Sequence, residues 1–195
     1  MEELTQAGAE AVRRFCEPFY REPHRAYHTL RHVEATLEAL RIRGALSPAL
    51  AMAVWGHDLI NDPHRHDNEE QSAEQFGDWL ESQGAGAVLV AEVRRLMLET
   101  RHTDPPTDRT AALLVDADLS VFGADDETFW TYEQAIRQEY SFVPWPQYRE
   151  GRMALLDGFL ERERIYTTPE FAGLEAGARV HLRAALEQLE TRYAE

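Results

Sequence analysis

Between Ser47-Pro48 and Pro63 the chain is apolar nearly all round, with Leu50, Ala51, Met52, Ala53, Val54 and Trp55 following one another without a charge. Ser47 supplies a helix cap and Pro48 occupies the first helical position, where its missing N–H is harmless. A helix from Ala49 to about Asn61 with no polar face belongs at the centre of a domain. Toward its end stand His57 and Asp58. A carboxylate carried into apolar surroundings needs a partner, because burying it alone is strongly unfavourable. A divalent cation is one such partner, and imidazole and carboxylate are both suitable ligands for it.

The rest of the chain reads as helices around that segment. Residues 28–43 place Leu30, Val33, Leu37 and Leu40 along one stripe, and Gly44 is a natural stop. Val12, Phe15 and Phe19 give residues 8–20 helical spacing, closed by Pro23. Asn68 reads as the cap of a helix from Glu69, whose acids suit the positive helix N-terminus. Further helices are expected at about 87–100, 110–119, 126–140, 146–162 and 174–193, with Thr168-Pro169 as another start. No alternating β-branched run, internal repeat or low-complexity linker interrupts this pattern. At roughly 100–200 residues per domain, 195 residues make an all-α single domain over 1–195.

Charge narrows the partners. Acids outnumber bases 35 to 20, a net charge of -15, so the surface repels a phosphate backbone and duplex nucleic acid is not an expected partner. Every one of those bases is arginine. A chain without lysine has no Schiff-base lysine and no P-loop lysine. An anion must therefore be held by arginine, by backbone amides or by a metal. The single cysteine, Cys16, excludes an intrachain disulfide and a multi-cysteine metal knuckle, and fits a reducing compartment. No apolar run reaches the length of about 18 residues that a membrane span needs, and Met1-Glu2-Glu3 is unlike the basic start of a signal peptide. A cytoplasmic protein without a membrane partner is expected. Nothing in the sequence sets the oligomeric state.

His57 and Asp58 cannot close a metal site by themselves. His28 and His32, at i and i+4, share one face of the second expected helix, and Asp116 and Asp118 end an apolar one in Leu-Val-Asp-Ala-Asp-Leu. The order His32, His57-Asp58, Asp118 resembles the HD-domain superfamily of metal-dependent phosphohydrolases. The segments Tyr27–His32, Trp55–Asp58, Asn68–Ala73, Asp116–Ser120, Ala135–Tyr140, Tyr148–Arg152 and Arg164–Thr168 are similar to one bacterial branch of it, over about residues 27–182. The resemblance implies an HD-type helical bundle. In it His32, His57, Asp58 and Asp118 hold one divalent metal ion (Mn, Fe, Co, Ni, Mg or Zn), with positions left for water and a substrate oxygen. It also implies a phosphohydrolase of phosphatase or phosphodiesterase type. Its substrate would be a small phosphate ester, with a nucleotide as the leading class, hydrolysed by metal-activated water.

Other residues are candidates around that centre. Asp62 lies four residues after Asp58, so the helix period places both on one face, and with Glu69 it is a candidate to act on the attacking water. His28 and His102 are candidates to face the substrate. Arg137 and Arg152 are the available phosphate forks. His64 and His66 read as solvated loop residues, His181 as a surface or core residue, and His24 and Cys16 as structural ones. An alternative is an HD-fold di-iron oxygenase, which needs extra histidines between Asp58 and Asp118. His102 is well placed for that role, and His64 and His66 poorly. Another alternative is a non-catalytic module that senses a nucleotide or a metal.

Overall fold

A computed structural model describes residues 6–103 and 105–191, and every regular element within them is helical. The elements are α1 (Gln6–Cys16), α2 (Leu30–Ile42), α3 (Pro48–Gly56), α4 (Asn68–Ser82), α5 (Ala87–Glu99), α6 (Arg109–Asp118), α7 (Asp126–Glu139), α8 (Trp145–Glu161) and α9 (Glu175–Thr191). Short 3-10 turns occur at Phe19–Arg21, Leu119–Gly123 and Ala172–Leu174. Among the described residues no helix is long and apolar enough to cross a membrane. The chain forms two compact units, Met1–Asp118 and Leu119–Glu195.

In the first unit α3 is central, packed against α1, α2, α4, α5 and α6. Leu50, Ala53 and Val54 are fully buried, as an apolar helix without a polar face requires. Its start is the expected one: Leu50 N–H donates to the Ser47 hydroxyl at 3.3 Å, and Pro48 follows the cap. The end of α2 is also as expected. Gly44 adopts φ +65°, a left-handed conformation natural for glycine, and Ala45 N–H reaches back to Leu40 O at 2.9 Å.

Three local expectations are corrected. α3 ends at Gly56, not near Asn61, and residues 57–60 turn away from the helix axis. A Cβ on Gly56 would lie 2.5 Å from Phe76 Cδ1 and 2.9 Å from Met97 Cε, so only glycine permits this approach to α4 and α5. The cap position of α4 is Asp67, and Asn68 instead uses its side chain on the backbone of Asp62. Thr168-Pro169 opens a turn, and α9 begins at Glu175.

In the second unit α9 packs against α8 and the 119–123 turn. Phe122, Phe129, Phe159, Tyr166, Phe171 and Leu182 form its core. Glu175 accepts hydrogen bonds from the N–H groups of Ile165 and Tyr166, at 3.0 and 3.1 Å, and Tyr166 OH donates to Leu119 O. His181 is buried there, with Nδ1 2.8 Å from Phe122 O and its ring stacked on Phe129. Of the two expectations for it, surface or core, the core one holds.

Candidate metal centre

His32 is carried by the first turn of α2, His57 caps the C-terminus of α3, Asp58 follows in the turn, and Asp118 ends α6. Their polar atoms converge. His32 Nε2 lies 3.1 Å from His57 Nε2 and 3.0 Å from Asp118 Oδ1. Asp58 Oδ2 lies 2.9 Å from His57 Nε2 and 3.4 Å from His32 Nε2, and Asp118 Oδ1 lies 3.4 Å from His57 Nε2. Both imidazoles are buried. One ligand atom from each of His32, His57 and Asp118 falls within 4.8 Å of the others.

This arrangement fits a metal ion. Ligands held at roughly 2.0–2.2 Å from one ion stand about 2.8–3.6 Å apart, whether tetrahedral or octahedral. The tautomer agrees as well. His57 Nδ1 lies 2.9 Å from Val54 O; a carbonyl only accepts, so Nδ1 carries a proton and Nε2 is the ring atom turned to the centre, the one that would ligate an ion. Burial would push the Asp58 carboxyl up. The neighbouring His57 and His28 charges and the hydrogen bond to His57 outweigh it and hold the group below the usual carboxylate range. Asp118 follows the same pattern, with hydrogen bonds to His102, His32 and His57 overcoming burial. For His57 burial acts to lower the pKa, and the Asp58 and Asp118 carboxylates raise it well above its ordinary value. Two partly buried carboxylates thus stand against two buried imidazoles. Their charge needs an imidazolium or a cation there.

The surrounding candidates divide. His28 is not on the α2 face: Thr29 is extended (φ -116°, ψ 178°), the helix starts at Leu30, and His28 lies in the preceding turn. The turn still brings its ring to 5.9 Å from that of His32, edge-on. His102 stands with Nε2 2.9 Å from Asp118 Oδ2, while Oδ1 of the same carboxylate faces the two imidazoles. It holds φ +57°, and no other non-glycine residue among those described has positive φ. Glu69, in the first turn of α4, is half-buried. Burial, reinforced by the Asp58 and Glu70 charges, raises its carboxyl pKa.

Asp62 does not share a helical face with Asp58, because the chain between them is not helical. Its Oδ1 accepts the His64 N–H at 2.9 Å, which shapes the loop. His64 and His66 are exposed, as expected of that loop. Asp116 is fully buried.

Arg137 and Arg152, the candidate phosphate forks, belong to the second unit and are engaged inside it. Arg137 donates to Tyr140 O and Val143 O and lies 4.6 Å from the Tyr148 ring centroid, with Trp145 stacked beside Tyr148. Arg152 is buried, paired with Glu133 and bonded to Tyr132 OH.

Arg25 escapes a reading by sequence alone. Among twenty arginines it carries no distinguishing pattern, yet its side chain is fully buried beneath the Asp58 turn. Compared with protein-family models, curated proteins and solved structures, the chain matches none.

Proposed function

We propose that this chain is a metal-dependent phosphohydrolase of HD type that hydrolyses a small phosphate ester, with nucleotides as the leading substrate class. The observation that carries the reading is the approach of His32, His57 and Asp118 to one another at spacings that suit a single ion, with Asp58 beside both imidazoles. One cluster of at least three such donors is present among the described residues, which favours one ion over two. A divalent cation held there supplies Lewis-acid polarisation of a phosphoryl oxygen and of the attacking water.

The chain's own residues do the rest. His57 is kept in one tautomer by Val54 O, and Asp58 and Asp118 supply the negative charge that retains a cation. Glu69, with its carboxyl raised by burial, suits proton transfer near neutral pH better than an exposed carboxylate does. His102, bonded to Asp118 through Nε2, is the candidate to face the substrate phosphate from beside the centre. The net charge of -15 disfavours long polyanions and leaves small substrates.

The test is hydrolysis of a panel of nucleoside mono-, di- and triphosphates, cyclic nucleotides and simple phosphodiesters, with Mn, Fe, Co, Ni, Mg or Zn added singly. The reading expects at least one ester to be cleaved, and cleavage to stop on chelation. No cleavage with any metal, or cleavage equal in His57→Ala, overturns it.

A further inference from the structure

Asp58 differs from its three companions in how it is held. His32 and Asp118 stand on helices, and His57 on a helix cap secured by Val54 O. Asp58 stands on a turn, so the direction of its carboxylate depends on whatever fixes that turn.

Arg25 provides the fixing. Nη1 donates to Asp58 O at 2.7 Å and to His28 O at 3.1 Å, and Nη2 donates to Leu59 O at 2.8 Å. Nε donates to Glu22 at 3.0 Å, which keeps the planar group in register. The guanidinium lies 5.1 Å from the Tyr20 ring centroid, and Tyr20 OH donates to Trp55 O at 2.9 Å. The carbonyls past a helix end have no intrahelical donors, and a buried one left unpaired is costly. A rigid fork matches two successive carbonyls in a way a single ammonium cannot. The same group also ties the His28 turn to the Asp58 turn.

We propose that Arg25 is a positioning residue of the metal centre: by holding the carbonyls of Asp58 and Leu59 it aims the Asp58 carboxylate at the point shared with His32, His57 and Asp118. The proposal rests on the metal-centre reading above. It implies that Arg25 acts on metal affinity through Asp58, which a role confined to general stability would not do.

The experiment is a double-mutant cycle read by Zn2+ titration of wild type, Arg25→Lys, Asp58→Ala and the double variant, each checked for helical content. Arg25→Lys is expected to weaken Zn2+ binding by roughly 10- to 100-fold, the usual effect of removing a group that orients a ligand. In the Asp58→Ala background the same change should alter affinity by no more than about twofold. Equal losses in both backgrounds, or no loss in either, overturn the proposal. Arg25→Gln serves if the lysine variant does not fold. Amide hydrogen exchange on metal-free protein gives an independent readout: Leu59 and Ile60 should exchange faster in Arg25→Lys, and unchanged exchange there overturns the proposal as well. A wild type that takes up no Zn2+ refutes the metal-centre reading itself. Exchange at Leu59 and Ile60 then decides the link between Arg25 and the turn on its own.

Discussion

His32 Nε2 and His57 Nε2 face each other at 3.1 Å across the point that Asp58 and Asp118 also approach. With the Nδ1 proton of His57 committed to Val54 O, Nε2 is the ring atom that faces the two carboxylates. Atoms at these separations are spaced as ligands of one ion would be.

Glu69 is expected to be the proton-transfer group. Glu69→Gln should lower turnover by about 10²–10⁴ while metal content is unchanged. Asp62→Asn should have the smaller effect, since Asp62 shapes the 62–64 loop. Steady-state kinetics beside metal analysis of the two variants checks this, and a larger loss in Asp62→Asn would reverse the assignment.

The raised Glu69 carboxyl also sets a pH dependence of stability. An acid whose folded pKa lies above its unfolded value binds its proton more tightly when folded. The destabilisation therefore grows as pH rises through the unfolded pKa and is complete above the folded one, and there is none where the group is neutral in both states. Glu69→Gln should raise the melting temperature of the metal-free protein at pH 7–8, and the gain should vanish below about pH 4. Thermal melts at the two pH values measure it.

His102 holds a left-handed backbone against Asp118. Such a conformation costs a side chain roughly 1–2 kcal/mol that glycine avoids. His102→Gly should be more stable than His102→Ala by about 1 kcal/mol, and both should lose turnover. Denaturant midpoints and kinetics of the pair separate strain from chemistry.

Arg152→Ala should act on stability. It strands Glu133 against a buried interior, and breaking a buried pair by removing one partner costs roughly 3–5 kcal/mol. Urea unfolding should show that loss with metal content unchanged. A fully stable variant with only a raised Michaelis constant would return Arg152 to the phosphate-fork reading.

Gly56→Ala drives a methyl group into Phe76 and Met97 just before His57. Overpacking of this kind costs about 1–3 kcal/mol, and a shift of the α3 end should lower metal affinity too. Unfolding and Zn2+ titration of the variant test both effects.

Much of this architecture is legible in the sequence because it is encoded locally. The Ser47-Pro48 start, the Gly44 stop and the stripe through Val33 and Leu40 need only near neighbours, and they appear as read. The four converging residues are legible as an ordered set of types, although no spacing rule could state their distances. The misread features depend on distant partners. α3 stops at Gly56 where Phe76 and Met97 press on it and Arg25 takes the next carbonyls. That early stop also removes the helical relation between Asp58 and Asp62. Arg137 and Arg152 look like any arginine in a chain rich in acids until Val143 O, Tyr148, Glu133 and Tyr132 are seen around them.

Divalent metal per chain, counted by elemental analysis after dialysis in purified wild type and in His57→Ala, tests the metal centre itself. One tightly held ion is expected in wild type and none in the folded variant. No ion in wild type after loading with each candidate metal, or the same content in both proteins, would contradict it.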